Sequence, residues 1–246
     1  MNTLANSPLS EIPPGWKLPN EIVRRLGSKA GKQRVIAENK HVLIILHKPP
    51  KKHDNHRDSI FFWKNDDGKW STSERGNGLT ALKDFLDNYS QFGDALEEEY
   101  ENAESSKDFF NLLEKIAPVQ RSVKNMGNTL QAARDLIGEE MIDYRDKAEE
   151  LSRNFELLYV DSKNGLDYAV AKKAEEQSEL QRKAVLAGHR LNMIIALFLP
   201  ITAAASLLGM NIPHGLEESP PWVYFSIVIV CAVLGLFVRH KVSRNE

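Results

Sequence analysis

The chain has a single cysteine, Cys231, in 246 residues. An internal disulfide and a cysteine-based zinc finger are both excluded. An excess of positive charge is also missing. Lys and Arg number 32 against 34 Asp and Glu, which argues against a strongly basic nucleic-acid binder, so no nucleic-acid partner is expected. No apolar run follows Met1, so no cleavable signal peptide is expected. The chain lacks a Gly-rich phosphate loop, a nucleophile elbow and a His-Glu-x-x-His pair. Neither enzymatic chemistry nor a bound cofactor is therefore expected.

Charge is missing most completely near the C-terminus. Residues 193–210 (MIIALFLPITAAASLLGM) and 222–238 (WVYFSIVIVCAVLGLFV) contain none. A helix crossing a bilayer needs about 20 apolar residues, with a range of roughly 17–25, and both stretches fit. Two buried helices of a soluble core are the competing reading. Trp222 and Tyr224 stand where interfacial aromatic anchors belong. Lys172, Lys173, Arg182, Lys183 and Arg190 precede the first stretch, and Arg239, Lys241 and Arg244 follow the second. Residues 211–221 carry no Lys or Arg, only the acids Glu217 and Glu218. Positive flanks stay inside. The expectation is a multi-pass protein of the inner or plasma membrane, with both termini cytoplasmic and a short acidic loop outside.

The rest of the chain is polar and patterned. Residues 1–32 hold Pro8, Pro13, Pro14 and Pro19 and read as a loose arm. Strand signals follow at residues 34–37, 41–47, 59–64 and 69–73, with turns at Glu38-Asn39-Lys40 and Asn65-Asp66-Asp67-Gly68. They predict a small, mainly antiparallel sheet. Leu79, Leu82, Phe85, Leu86, Tyr89 and Phe92 make a helical apolar face. Phe109, Leu112, Ile116, Val119, Val123, Met126, Leu130, Ala133 and Ile137 make a second, with a break or kink expected near Ala117 because Pro118 follows it. Residues 139–160 read as a further helix. A last helix begins at Leu166, and its stripe (Val170, Ala174, Gln177, Leu180, Ala184, Ala187, Leu191) runs unbroken into the first span through Ile195, Phe198, Thr202, Ser206 and Gly209. From Leu166 to Leu208 such a helix would be about 65 Å long at 1.5 Å per residue. Ala, Gln, Thr and Ser weaken the stripe as a dry core and suit a helix lining a wet channel among symmetry copies. An amphipathic stalk of a dimer is the alternative.

The predicted fold class is membrane α-helical: two C-terminal transmembrane helices, a long stalk helix, and an N-terminal cytoplasmic α/β plus helical domain. The expected organisation is an arm (1–32), a cytoplasmic α/β region (33–104), a helical region with stalk (105–190), a pore-lining span (191–211), an outer loop (212–221), a second span (222–238) and a basic tail (239–246).

At the end of the first span stand Gly209, Met210 and Asn211. The segment Leu197-Phe198-Leu199-Pro200-Ile201-Thr202, six residues, then Gly209-Met210-Asn211 resembles the first transmembrane helix of the CorA family of divalent-cation channels. In that family a Pro-hydrophobic-Thr element precedes a Gly-Met-Asn signature at the outer pore mouth. A second span and a basic tail follow, as they do here over residues 165–244. The resemblance implies a homopentamer in a lipid bilayer, with the first span around one central pore. It implies Mg²⁺, Co²⁺ or Ni²⁺ as the transported ion, or Zn²⁺ in the zinc-transport branch. Mg²⁺ dehydrates reluctantly, so a mouth of neutral oxygen acceptors suits its water shell. On this resemblance Gly209, Met210 and Asn211 form the selective mouth, and Asn211 meets the hydrated metal. Leu191, Ile195, Leu199, Thr202 and Ser206 line the pore. The Thr202 hydroxyl would either form a second oxygen ring or bond the backbone one turn earlier. The family's innermost gate methionine falls near Gly188 by spacing, so either Leu191 does that work or the inner constriction is wider here. Leu208 stands where the family has an aromatic, and IPHGLEESPP lacks its Met-Pro-Glu element. Glu217 and Glu218 would concentrate cations at the mouth or act as solvated loop acids.

Two other groups draw notice. His47, His53, Asp54, His56 and Asp58 cluster in a loop, but their spacing matches no standard zinc site. Glu97, Glu98, Glu99 and Glu101, with Glu149 and Glu150, would serve as regulatory Mg²⁺ ligands by the resemblance, or as solvated helix faces. The expected function is a CorA-like transporter of divalent cations, Mg²⁺ first. The alternatives are a zinc transporter of the same fold and a non-conducting, membrane-anchored coiled-coil scaffold.

Overall fold

A computed structural model describes residues 12–27, 31–50, 58–74, 76–210, 215 and 219–244. It divides into two units, Met1–Ala171 and Lys172–Glu246.

The first unit is built on a four-stranded antiparallel meander, β1 (Arg34–Glu38), β2 (His41–His47), β3 (Ser59–Lys64) and β4 (Trp70–Thr72), in that spatial order. The two apolar runs HVLIILH and SIFFWK form the central strands where the sequence placed them. Glu38 pairs with His41 across the two-residue turn Asn39-Lys40, whose φ values are 49° and 66°. That left-handed turn matches the twist of the strands it joins.

Both faces of the sheet are covered, so β2 is buried from Val42 to His47 and does not alternate. Leu43, Ile45, Phe61 and Trp63 face a short helix, α1 (Asn20–Arg25), which contributes Ile22. Val42, Ile44, Leu46, Ile60 and Phe62 face the helices that follow. The result is a layered α/β/α arrangement.

The first of these helices, α2 (Gly78–Glu101), buries Leu82, Phe85, Leu86 and Tyr89. The Tyr89 hydroxyl donates to the carbonyl of His47 at 2.8 Å, which ties α2 to the end of β2. The next, α3 (Ser106–Ile137), buries its predicted apolar positions from Phe109 to Ala133. Of the break or kink expected near Ala117, the break does not occur: Pro118 lies inside α3 without ending it. Its missing N–H removes one backbone bond. The flanking Ile116 and Val119 are fully buried, and their packing holds the helix continuous through that gap.

A capping box starts α3. The Ser105 hydroxyl accepts from the Asp108 amide, and the Asp108 carboxylate accepts from the Ser105 amide at 2.9 Å and from its hydroxyl at 2.6 Å. These donors hold the exposed Asp108 carboxyl below its ordinary value. Its folded-state pKa is depressed. Its contribution to stability is therefore present above the ordinary carboxylate range and is lost as pH falls through the folded value. Ser105→Ala should cost about 1 kcal/mol of unfolding free energy at neutral pH. Urea titrations should show this cost shrinking, without vanishing, as pH falls through the depressed Asp108 value, because the bond the Ser105 hydroxyl accepts from the Asp108 amide does not depend on that carboxylate.

Gly138, at φ 90°, ends α3, and a 3₁₀ turn (Glu139–Met141) leads into α4 (Ile142–Leu208). In that turn the Glu140 carboxylate accepts from the Trp70 indole at 2.9 Å and pairs with Lys64, fastening the turn to the sheet. Within the first unit α4 buries Ala148, Leu151, Phe155, Leu158 and Ser162. The two helices expected at residues 139–160 and from Leu166 are one. Gly165, between them, is a packing position. A Cβ there would lie 2.5 Å from the Phe109 ring, so glycine admits α3 without breaking α4.

The second unit consists of the remainder of α4 from Lys172 and of α5 (Pro221–Arg244).

Candidate functional site

The site is built on these two helices. By length and composition both can cross a membrane. None of the most apolar window of α4 and only 6% of that of α5 is buried. Within the single chain neither helix is covered as a core helix would be.

The span of α4 has two different sides. Met193, Ala196, Leu197, Pro200, Ile201, Ala204 and Leu208 are half-buried. They recur at spacings of three and four and form one stripe. Against that stripe lies α5, whose Gly235 meets the main chain of Leu197. Leu191, Ile195, Leu199, Thr202 and Ser206 are all exposed. At 3.6 residues per turn these five fall within about 80° of one another, on the side opposite α5. The predicted lining residues thus share a single unpartnered face.

That face is apolar at its N-terminal end and carries hydroxyls further on. Leu191, Ile195 and Leu199 stand 57%, 47% and 62% exposed. The Thr202 hydroxyl donates to the carbonyls of Phe198 and Leu199, both at 3.0 Å. Its one proton is directed back along the helix, so its oxygen retains acceptor capacity. Both alternatives raised for Thr202 are thereby compatible: the backbone bond exists, and the oxygen can still receive a hydrogen. Pro200 is accommodated within the helix on the stripe that faces α5.

The helix ends at Leu208. The Gly209 amide donates to Ala205 O at 2.9 Å, and a Cβ on Gly209 would crowd that oxygen at 3.1 Å. Met210 is half exposed. Asn211, Glu217 and Glu218 lie outside the described residues. On α5, Trp222 is exposed at the start of the span, and the Ser226 hydroxyl donates to its carbonyl at 2.9 Å.

The remaining candidates do not assemble. His47 is buried within β2 while Asp58 is exposed, and His53, Asp54 and His56 lie outside the described residues. Glu99 pairs with Lys115, Glu149 with Arg145 and Glu150 with Lys147, all at the surface. Asp94, Glu97 and Asp161 line one groove between α2 and α4. Among the described residues no three such side chains converge as metal ligands. Sequence reasoning passed over Gly235, although a glycine within an apolar span is itself a sign of close helix approach.

No family model matches the chain, and no curated protein matches it. Solved structures do resemble it. The full-length CmaX protein is 14% identical, with 93% of this chain and 82% of that one covered and a TM-score of 0.49. The CorA magnesium transporter from Methanocaldococcus jannaschii is 18% identical, with 84% and 78% covered and a TM-score of 0.41. The ZntB cytoplasmic domain from Vibrio parahaemolyticus RIMD 2210633 is 11% identical, with 64% and 80% covered and a TM-score of 0.42.

Proposed function

We propose that this chain is one subunit of a membrane channel and, more narrowly, of a CorA-like homopentameric channel for hydrated divalent cations, with Mg²⁺ as the main ion and Co²⁺ and Ni²⁺ as lesser ones. It sits in the cell membrane with both termini cytoplasmic. The observation that carries this reading is the exposed face Leu191–Ile195–Leu199–Thr202–Ser206, turned away from α5 and leading to Gly209-Met210-Asn211.

Such a face suits a water-filled axis. Lipid would accept its leucines but gains nothing from hydroxyls at Thr202 and Ser206, whereas a pore uses both. Rings of Leu and Ile narrow the passage and gate it by dewetting. Rings of hydroxyl and amide oxygen hydrogen-bond the water that Mg²⁺ keeps. The part of α4 before the span points the same way. Leu180, Val185 and Leu186 are 64%, 70% and 50% exposed on a helix that also carries Glu179, Arg182 and Lys183. Each Leu or Val buried against a second copy gains about 1.5–3 kcal/mol, which favours assembly.

The driving force is the membrane potential. Each unit charge gains about 2.3 kcal/mol per 100 mV, so a divalent ion gains about 4.6. The test is ion uptake into liposomes holding the purified protein, with Mg²⁺, Co²⁺ or Zn²⁺ outside. Mg²⁺ uptake should follow an imposed inside-negative potential and ignore a pH gradient. Zn²⁺ uptake that requires the pH gradient transfers the assignment to a zinc transporter. No uptake of any ion, with a monomer or dimer by native mass measurement, leaves a scaffold.

A further inference from the structure

The pore reading leaves open what aims the lining face at the axis, since α4 could turn about its own length and still fill a bilayer. We infer that Gly235 is the residue that sets this rotation. Among the described side chains of α5 it is the only buried position. A Cβ placed on it would lie 2.6 Å from Leu197 O, 3.2 Å from Leu197 Cα and 3.3 Å from Leu197 C. These three nearest atoms are all main chain, so no side-chain rotation relieves the contact with them.

The contact is therefore backbone on backbone, and only glycine permits it. Small residues at such a point let two membrane helices approach closely where there is no hydrophobic drive between them. Leu197 lies in the middle of the half-buried stripe, between Ala196 and Pro200. With Gly235 seated on that stripe, the Leu191–Ser206 face is turned to the opposite side. Pro200 removes the donor that would bond Ala196 O, so the turn carrying Leu197 is less tied to its own helix and depends more on its neighbour.

Adding one methyl at this point calls for a displacement of about 1 Å, the gap between 2.6 Å and an ordinary carbon contact. The helices must part or α4 must rotate, and either moves the lining face. Gly235 is thus a positioning residue, which acts through α4 and touches no ion.

This inference rests on the pore reading, and the test separates the two. Cys231→Ala gives a cysteine-free chain. Leu199→Cys and, separately, Leu207→Cys are then introduced, and labelling by a membrane-impermeant thiol reagent is followed in proteoliposomes, with assembly checked by native mass measurement. With Gly235 intact, Leu199→Cys should label and Leu207→Cys should not. Failure of Leu199→Cys to label there overturns the pore reading and this inference with it. With Gly235→Ala, labelling at Leu199→Cys should drop severalfold while the oligomer persists. Unchanged labelling in an intact oligomer overturns the positioning role alone. If Gly235→Ala does not accumulate, Ala232→Val is used, which enlarges the same side of α5 by a side chain. The same loss of labelling supports the role, and none overturns it.

Discussion

Asn211→Ala should lower Mg²⁺ uptake into liposomes at least about tenfold without changing oligomer size. The amide stands directly after Gly209 and Met210, where the first candidate span gives way to the loop that leads to the second. Around a symmetric mouth its oxygens would form a ring of neutral acceptors for the water of a hydrated ion. A hydrogen bond to a charged partner is worth about 1.5–3 kcal/mol, and tenfold corresponds to about 1.4, so loss of even one such bond per ion suffices. Alanine leaves a mouth of methyl groups that offers the hydrated ion nothing. Asn211→Asp keeps the oxygens and adds charge. It should bind divalent ions more tightly, so the apparent affinity rises while the maximal rate falls, because conduction needs binding weak enough to allow exit. Uptake unaltered in Asn211→Ala would remove Asn211 from the pore mouth.

Phe155→Ala should cost about 3–5 kcal/mol of stability, a large share of the 5–15 typical of a folded domain. Phe155 is 1% exposed on α4, with its ring 3.4 Å from where a Cβ on Gly93 of α2 would stand. Truncation removes most of the side chain that joins the two helices and leaves a cavity in the main core. Phe155→Leu should recover part of the loss. Glu156→Ala, one residue on and exposed, should stay within about 0.5 kcal/mol. Urea unfolding of the detergent-solubilised chain, followed by far-ultraviolet circular dichroism, provides the comparison. A cost below about 1 kcal/mol for Phe155→Ala would mean that the α2–α4 contact is not what holds this unit together.

Much of the first unit could be read from residue order. β2 and β3 fall where the apolar runs lie, because β-branched and aromatic residues bounded by turn formers have few other uses. Asn39-Lys40 and Asn65–Gly68 turn the chain where their sequence says they should. Helix continuity was not legible. Pro118 and the residues between Val160 and Leu166 both resemble boundaries, yet α3 and α4 run through them. A lost hydrogen bond or a glycine costs about 1–3 kcal/mol, and the buried side chains on either side outweigh it.

The site divides in the same way. Residue order by itself determined that two uncharged segments end the chain, that one carries a stripe with hydroxyls at Thr202 and Ser206, and that Gly209-Met210-Asn211 follows. These are properties of spacing, and a helix converts spacing into faces without outside help. Only the tertiary structure decided which face of α4 meets α5 and which is left unpartnered. Apolar residues surround α4 on every side in this stretch, so the stripe alone does not say which side a neighbouring helix will cover. The direction comes from the approach of a second backbone, through Gly235 onto Leu197, and a close approach of that kind depends on two segments about 40 residues apart in the sequence.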